Sequence, residues 1–214
     1  MKRTINHILF DLGNVLVPVH LEIAFSKLLP HLPPEPARLL KEDRQAFIDL
    51  LNEPTKALET GVTGRDQFYG AVSDILGTDL NRNDFLEIWC NIFSLDEGMI
   101  SLGESLSQSY GTWLVSNTSR IHYEYIIGKF PRVTFYKGAA LSFDLGVMKP
   151  SAAYYEKAIE KFGIDPFQAV FIDDLTENVE GAVRAGITGI VFRNRNQLVK
   201  ELQRLGVNVP EIGE

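Results

Sequence analysis

Ile8-Leu9-Phe10-Asp11-Leu12-Gly13-Asn14 sets three uncharged apolar side chains directly before an acid, a leucine, a glycine and an amide. A short apolar run that stops at polar or glycine residues reads as a buried strand, and the polar residues just beyond it mark its functional end. The pattern recurs at residues 113–115 before Ser116-Asn117-Thr118, at 169–172 before Asp173-Asp174, and at 189–192. Helix-length segments lie between these runs. Buried strands alternating with helices predict an α/β fold, a Rossmann-like three-layer core with a parallel sheet covered on both faces. The best-marked helix begins after Thr176, where Val179, Ala182 and Val183 recur at helical spacing and Gly186 stands where a C-cap would.

Residues 21–93 read differently. They hold several helical patterns and no convincing strand, with Pro33, Pro34 and Pro36 as punctuation near the start. Phe68, Ala71, Val72 and Ile75 form one expected apolar stripe, and Phe85, Ile88, Trp89 and Phe93 another, so a small helical bundle is predicted. A length of 214 residues fits one domain carrying such an insert. The expected division is a core of residues 1–18 and 96–214 with an inserted α-helical cap at 19–95.

Composition narrows the functional classes. Hydrophobic residues make up 45% and charged residues 23%, which excludes a disordered or fibrous chain. Lys and Arg total 21 against 28 Asp and Glu, a formal charge of −7, and no basic run could neutralise a line of phosphates, so no nucleic-acid partner is expected. The one cysteine, Cys90, cannot form an internal disulfide; beside Trp89 it reads as a small core residue in a reducing compartment. Met1-Lys2-Arg3 carries the charge of a leader, but Asp11, Gly13 and Asn14 break the apolar run behind it. No export and no membrane insertion are expected, giving a cytoplasmic protein, with a monomer preferred because pattern alone marks no extended apolar patch.

In open parallel sheets ligands bind outside the carboxyl ends of the strands, so the informative residues are those just after each run. They are Asp11 to Asn14, Ser116-Asn117-Thr118, Asp173-Asp174, and the loop residue Lys149 in Gly146-Val147-Met148-Lys149-Pro150. Three carboxylates converging on one rim repel each other, and a hard divalent cation with oxygen ligands, Mg²⁺, relieves this. An ionised Asp beside that ion can attack phosphorus, Lys149 can neutralise a phosphoryl oxygen, and Ser116 and Asn117 can fix it by hydrogen bonds. Singly, each residue has a plainer reading: a turn acid, a helix N-cap, an exposed lysine. The ordered set carries the weight.

That set resembles the haloacid dehalogenase superfamily. Its four motifs are an apolar strand ending in Asp, a strand ending in Ser or Thr, a Lys, and an acidic pair. They correspond here to residues 8–16, 114–118, 147–150 and 170–174, with Asn178 to Ala182 coming after. The insert falls where the family's C1 type carries its helical cap. The resemblance implies Asp11 as nucleophile, with Mg²⁺ held by Asp11, the Gly13 carbonyl and Asp174, and Asp173 supporting that site. Ser116, Asn117 and Lys149 would hold phosphate, with Lys149 also catalytic. Asp-Leu-Gly-Asn with Ser-Asn-Thr and Asp-Asp is similar to a subgroup of small bacterial enzymes that includes an α-glucose-1-phosphate phosphatase, implying a sugar phosphate as substrate.

One position departs from the pattern. Most phosphatases of the family carry a second Asp two residues after the nucleophile as general acid and base; Gly13 stands there instead. A missing general acid or base typically costs about 10² to 10⁴ in rate. His20 is weighed as a substitute or a substrate contact, with a plain surface or core role favoured. Glu59 is weighed as a cap residue at the mouth, with a helix-terminal acid before Gly61 favoured. Arg120 and His122 are expected to decorate the helix after the second motif. The rivals are a carbon–halogen hydrolase, disfavoured because a halide site has no use for two further acids, and a non-catalytic phosphate-binding protein.

Overall fold

The structure, a computed structural model, describes residues 4–210. The leader-like Met1-Lys2-Arg3 and the outer edges of the expected core, 1–3 and 211–214, lie outside the described residues.

Strand β1 spans His7–Phe10 and leads into six helices: α1 Leu21–Leu28, α2 Pro34–Glu42, α3 Arg44–Leu50, α4 Asn52–Glu59, α5 Arg65–Leu76 and α6 Arg82–Cys90. The chain then alternates: α7 Glu97–Ser107, β2 Gly111–Ser116, α8 Arg120–Lys129, β3 Ala139–Leu141, α9 Ser142–Leu145 and α10 Ala152–Phe162. It ends with β4 Ala169–Asp173, α11 Thr176–Arg184, β5 Thr188–Val191 and α12 Arg195–Arg204. The five strands form one parallel sheet in the order β3-β2-β1-β4-β5. This is the expected three-layer α/β architecture.

Strand alternation sorts the core. Ile8, Phe10, Leu114 and Ile172 pack with Ile100 and Leu102 of α7 and Leu198 of α12 on one face. Leu9, Val115 and Phe171 pack with Tyr154 and Tyr155 of α10 and Ala182 of α11 on the other. A period of two on strands buried on both sides requires apolar residues at every position, as the sequence shows. Strand β1 lies at the centre, so the residue after it has strand ends on both sides.

Helices α1 to α6 have their own apolar cluster, which includes Leu28, Phe47, Phe68, Val72, Leu76 and Phe85. The α5 stripe differs from the expected one: Phe68, Val72 and Leu76 are buried, while Ala71 and Ile75 face outward. A spacing of four along one line turns Ala71 and Ile75, one residue earlier each, off the packed face. Phe85, Ile88 and Trp89 of α6 pack as expected, whereas Phe93 lies past the helix and joins the core side. Helix α11 ends before Gly186, whose φ of +89° suits glycine, but Val183 is 54% exposed, contrary to the expected stripe. Strand β3, only three residues long, is not marked in the sequence because its run is too short to show a period. Among the described residues no helix is long and apolar enough to cross a membrane.

Candidate active site

The ends of β1, β2 and β4 converge. Asp11 comes directly after β1, its backbone N–H donating to the Ile172 carbonyl of β4 at 2.9 Å, which ties the acid to the sheet rim. Lys149 arrives from the loop before α10 and is 5% exposed. Its Nζ lies 2.9 Å from Asp11 Oδ1 and 2.6 Å from Asp173 Oδ2, and donates to the Val115 carbonyl at 3.1 Å. A buried ammonium is stable only with partners of this kind. The Lys149-Pro150 peptide bond is cis.

The side chains that hold this lysine are themselves held. Asn117 Nδ2 donates to the Lys149 carbonyl at 3.0 Å, and the Lys149 N–H donates to Asn117 Oδ1 at 2.8 Å. The Asn117 amide is thus engaged with main chain on both sides and acts on Lys149. Ser116, 2% exposed, ends β2, with its carbonyl accepting from Tyr154 at 3.2 Å. Asp173 is fully buried and accepts from Asn178 Nδ2 at 3.0 and 3.1 Å, from the Leu175 N–H at 2.9 Å and from Lys149. Both its oxygens are engaged, which suits support of the site more than open coordination.

Asp11, Asp173 and Asp174 bring carboxylate oxygens within 4.8 Å of one another. Asp174, half-buried, accepts from Asn14 Nδ2 at 3.2 Å. Asn14 sits at φ 55°, a left-handed conformation asparagine tolerates, and its Oδ1 also takes the Val19 N–H at 3.1 Å. Reasoning from sequence assigns Asn14 no role of its own inside the first motif; a left-handed asparagine after a strand is the signal that could have found it. Burial pushes the Asp11 carboxyl up to about 6, the Lys149 ammonium opposing and Asp173 adding to the rise. Burial works against the Lys149 charge, yet the two facing carboxylates prevail and hold its pKa above the usual lysine range. Burial also raises Asp174, against its bond from Asn14. Two neighbouring carboxyls raised by burial are brought back toward ionisation by a nearby positive charge.

A cavity of about 290 Å³ opens beside these groups, with Leu12, Gly13, Ser116 and Asn117 at its sheet end. Its other wall comes from the helices of the insert. Glu59, the last residue of α4, lies in that wall. The expected terminal position before Gly61 is found, and the side chain nevertheless faces the cavity, where burial first and Asp11 second push its pKa up to about 7. Among the described residues it makes no hydrogen bond or ion pair. His122 lies on the helix after the second motif, as expected, and its side chain also lines the cavity. Its Nε2 meets the Trp89 carbonyl at 3.1 Å, its ring stacks on Trp89 at 5.8 Å, and burial pushes its pKa down to about 4. His20 instead pairs with Ser94 at 2.8 Å and lies off the cavity wall. Arg120, as expected, is outside the site, bonded to Asp144 at 2.9 Å. Cys90 is buried as expected.

Among proteins of known function, the chain is 28% identical over 133 residues to flavin mononucleotide hydrolase 1 of Arabidopsis thaliana, covering 62% of this chain and 54% of that protein. The chain thus spans about half the length of that relative. It is 24% identical over 185 residues to D-ribitol-5-phosphate phosphatase of Bacteroides thetaiotaomicron, covering 82% of this chain and 85% of the other. A crystal structure of a HAD-family enzyme from Bacteroides thetaiotaomicron, solved with magnesium and inorganic phosphate, matches at a TM-score of 0.76 and 22% identity over 91% of this chain and 98% of that one. A predicted HAD-like hydrolase from Porphyromonas gingivalis matches at 0.74 and 22%, over 96% and 99%. A family model of haloacid dehalogenase-like hydrolases matches residues 5–186, and with this sheet order the chain belongs to that family of enzymes.

Proposed function

We propose that the protein is a Mg²⁺-dependent phosphatase that cleaves a small phosphomonoester through a phosphorylated Asp11. The observation that carries this reading is the buried Lys149 ammonium 2.9 Å from an Asp that shares a rim with a second, partly free carboxylate, Asp174. The ribitol-phosphate phosphatase and flavin mononucleotide hydrolase relatives support the reaction class, and the magnesium and phosphate complex of the structural relative supports the cofactor. The donor set fits the ion: Asp11 and Asp174 offer hard carboxylate oxygens close together, and in this reading the Gly13 carbonyl would be a third ligand. When bound, Mg²⁺ would neutralise phosphoryl oxygens and keep Asp11 ionised.

In the first step Asp11 attacks phosphorus, the bond to the leaving oxygen breaks, and Lys149 balances the charge on the transferred group. Ser116 contributes a hydrogen bond, and Asn117 acts by fixing Lys149. The leaving oxygen needs a proton. Gly13 supplies none, and Glu59 is the carboxyl in the cavity wall that can give it. In the second step water attacks the Asp11-bound phosphorus, its proton passes to Glu59, and the bond to Asp11 breaks to release phosphate.

Residues 1–18 and 96–214 act in this reading as the core and 19–95 as the cap, with the reaction between them. A monomer acting on a small molecule, without nucleic acid and in the cytoplasm, accords with the charge of −7 and the lone Cys90. The sequence motifs and the ribitol-phosphate relative point to a sugar phosphate, while the largely apolar cavity wall opposes that choice of organic group. Three convergent acids disfavour carbon–halogen hydrolysis, which needs no cation. The test is phosphate release from acetyl phosphate with and without Mg²⁺. Asp11→Asn, nearly isosteric, is expected to lower release by at least about 10³-fold while thermal unfolding stays cooperative. Full activity in that variant overturns the nucleophile assignment, and an inert natural protein with intact metal binding favours the non-catalytic reading.

A further inference from the structure

The cavity next to Asp11 has walls that suit an organic group unlike a sugar. Phe25, Phe47, Trp89 and Phe93 contribute aromatic faces, and branched aliphatic side chains from both layers fill the gaps between them. The titratable side chains in the wall are Glu59 and His122. His122 has its Nε2 engaged with the Trp89 carbonyl. Among the described residues no lysine or arginine lines the cavity, so a second phosphate or a carboxylate on the ligand would meet Glu59 with no cation from the wall opposite it. A hexose or pentitol would bring four or five hydroxyls into these walls. A buried hydroxyl without a partner costs about 5- to 150-fold in affinity, and away from the phosphate end the wall offers few polar side chains, chiefly Asn52 and Thr55.

Apolar surface has the reverse balance. Each methylene taken from water into such walls gains about fourfold in affinity. An apolar protein cavity of ~150 Å³ accommodates a benzene molecule, so twice that volume suits a group of about ten carbons. The cavity of about 290 Å³ runs from the phosphate end, at Gly13 and Ser116, to the cluster inside the helical insert, with Leu28 and Phe47 common to both. The phosphate and the organic group of one ester are thereby covered by adjoining surfaces.

We infer that the substrate is a monophosphate ester of an apolar alcohol or phenol of up to about ten carbons, its hydrocarbon part seated between the helical insert and the sheet rim. This rests on the phosphatase reading for its chemistry but not for its binding measurement. Linear alkylphosphonates from ethyl to decyl, which cannot be hydrolysed, are titrated calorimetrically into the protein with Mg²⁺. Affinity is expected to rise about two- to fourfold per methylene and to level off near ten carbons, with a negative heat-capacity change. In parallel, kcat/KM for 1-naphthyl phosphate is expected to exceed that for glucose 1-phosphate and ribitol 5-phosphate by about 100-fold.

Ile48, a half-buried wall residue, supplies the variant: Ile48→Asn is expected to flatten the chain-length dependence. If that variant unfolds, the slope on the natural protein decides alone. Affinity independent of chain length overturns the inference, as does a sugar phosphate turned over as well as the naphthyl ester. Acetyl phosphate separates the two claims, because its small acyl group makes no use of the walls. Turnover of acetyl phosphate with a flat phosphonate series defeats the substrate class alone, and a steep series without turnover defeats the phosphatase reading alone.

Discussion

Asp11 and Glu59 both lie in surroundings that penalise a negative charge, and they differ in what stands opposite. Asp11 has the Lys149 ammonium at 2.9 Å, whereas Glu59 has no partner among the described residues and is held near pKa 7. A carboxyl raised in the folded state gives stability that is complete below its unfolded value, 4.5, and is lost as pH rises through about 7. Glu59→Gln cannot ionise and escapes that loss. In metal-free protein, the melting temperature of Glu59→Gln relative to the natural chain is therefore expected to climb between about pH 5 and pH 8; a constant difference would refute the raised carboxyl. The same variant is expected to lose about 10²-fold in turnover of esters with poor leaving groups and much less with nitrophenyl phosphate, since only the former need a proton. Asp11, Ser116, Lys149 and Asp173 were legible as an ordered set, because each ends an apolar run or sits in a marked loop. Glu59 was not, because nothing in Leu58-Glu59-Thr60-Gly61 says which way a helix-terminal acid points.

At the scale of elements, the turn after α4 carries the relation between insert and sheet. Gly61 has φ +69°, and a Cβ there would press into the main-chain carbonyl of Phe143, at the start of α9. Glycine thus lets two backbones approach where any side chain would push them apart. Gly61→Ala is expected to destabilise the protein by about 1–3 kcal/mol in urea unfolding, through strain and overpacking. It should also lower turnover, because the displaced turn carries Glu59 with it; a variant with native stability and native rates would sink this account. The existence of the helical insert was readable from its prolines and apolar spacing. Its packed faces were only half readable: Ala71 and Ile75 fit a helical stripe on paper, and the line at Phe68, Val72 and Leu76 won because tertiary contact, not periodicity, selects among adjacent faces.

For the whole molecule, a divalent ion binding the folded state alone adds stability as its concentration rises. At about 100-fold excess over Kd the gain is ~2.7 kcal/mol, or roughly 5–10 °C in melting temperature for a chain of this size. Mg²⁺ is expected to raise the melting temperature by that order, and Asp174→Asn to remove most of the rise while leaving the metal-free melt close to natural. An undiminished rise in that variant would remove Asp174 from the metal site. The effect is global because Asp11 and Asp174 stand just past strands β1 and β4, which pair along their length at the centre of the sheet.

The sequence by itself determined the parallel α/β core, the helical insert, the acids at the strand ends and the lysine in its marked loop, because burial on both faces and termination at polar residues are local facts written in consecutive positions. Tertiary structure alone decided that Asn117 and Asn178 act on Lys149 and Asp173, that Asn14 steadies Asp174, and that Glu59 and His122 turn inward. It also decided that the cavity wall opposite Gly13 and Ser116 is aromatic and aliphatic. These depend on which side chains from distant segments meet across a gap, and the free energy of that meeting belongs to the pair and its solvent, not to either residue alone.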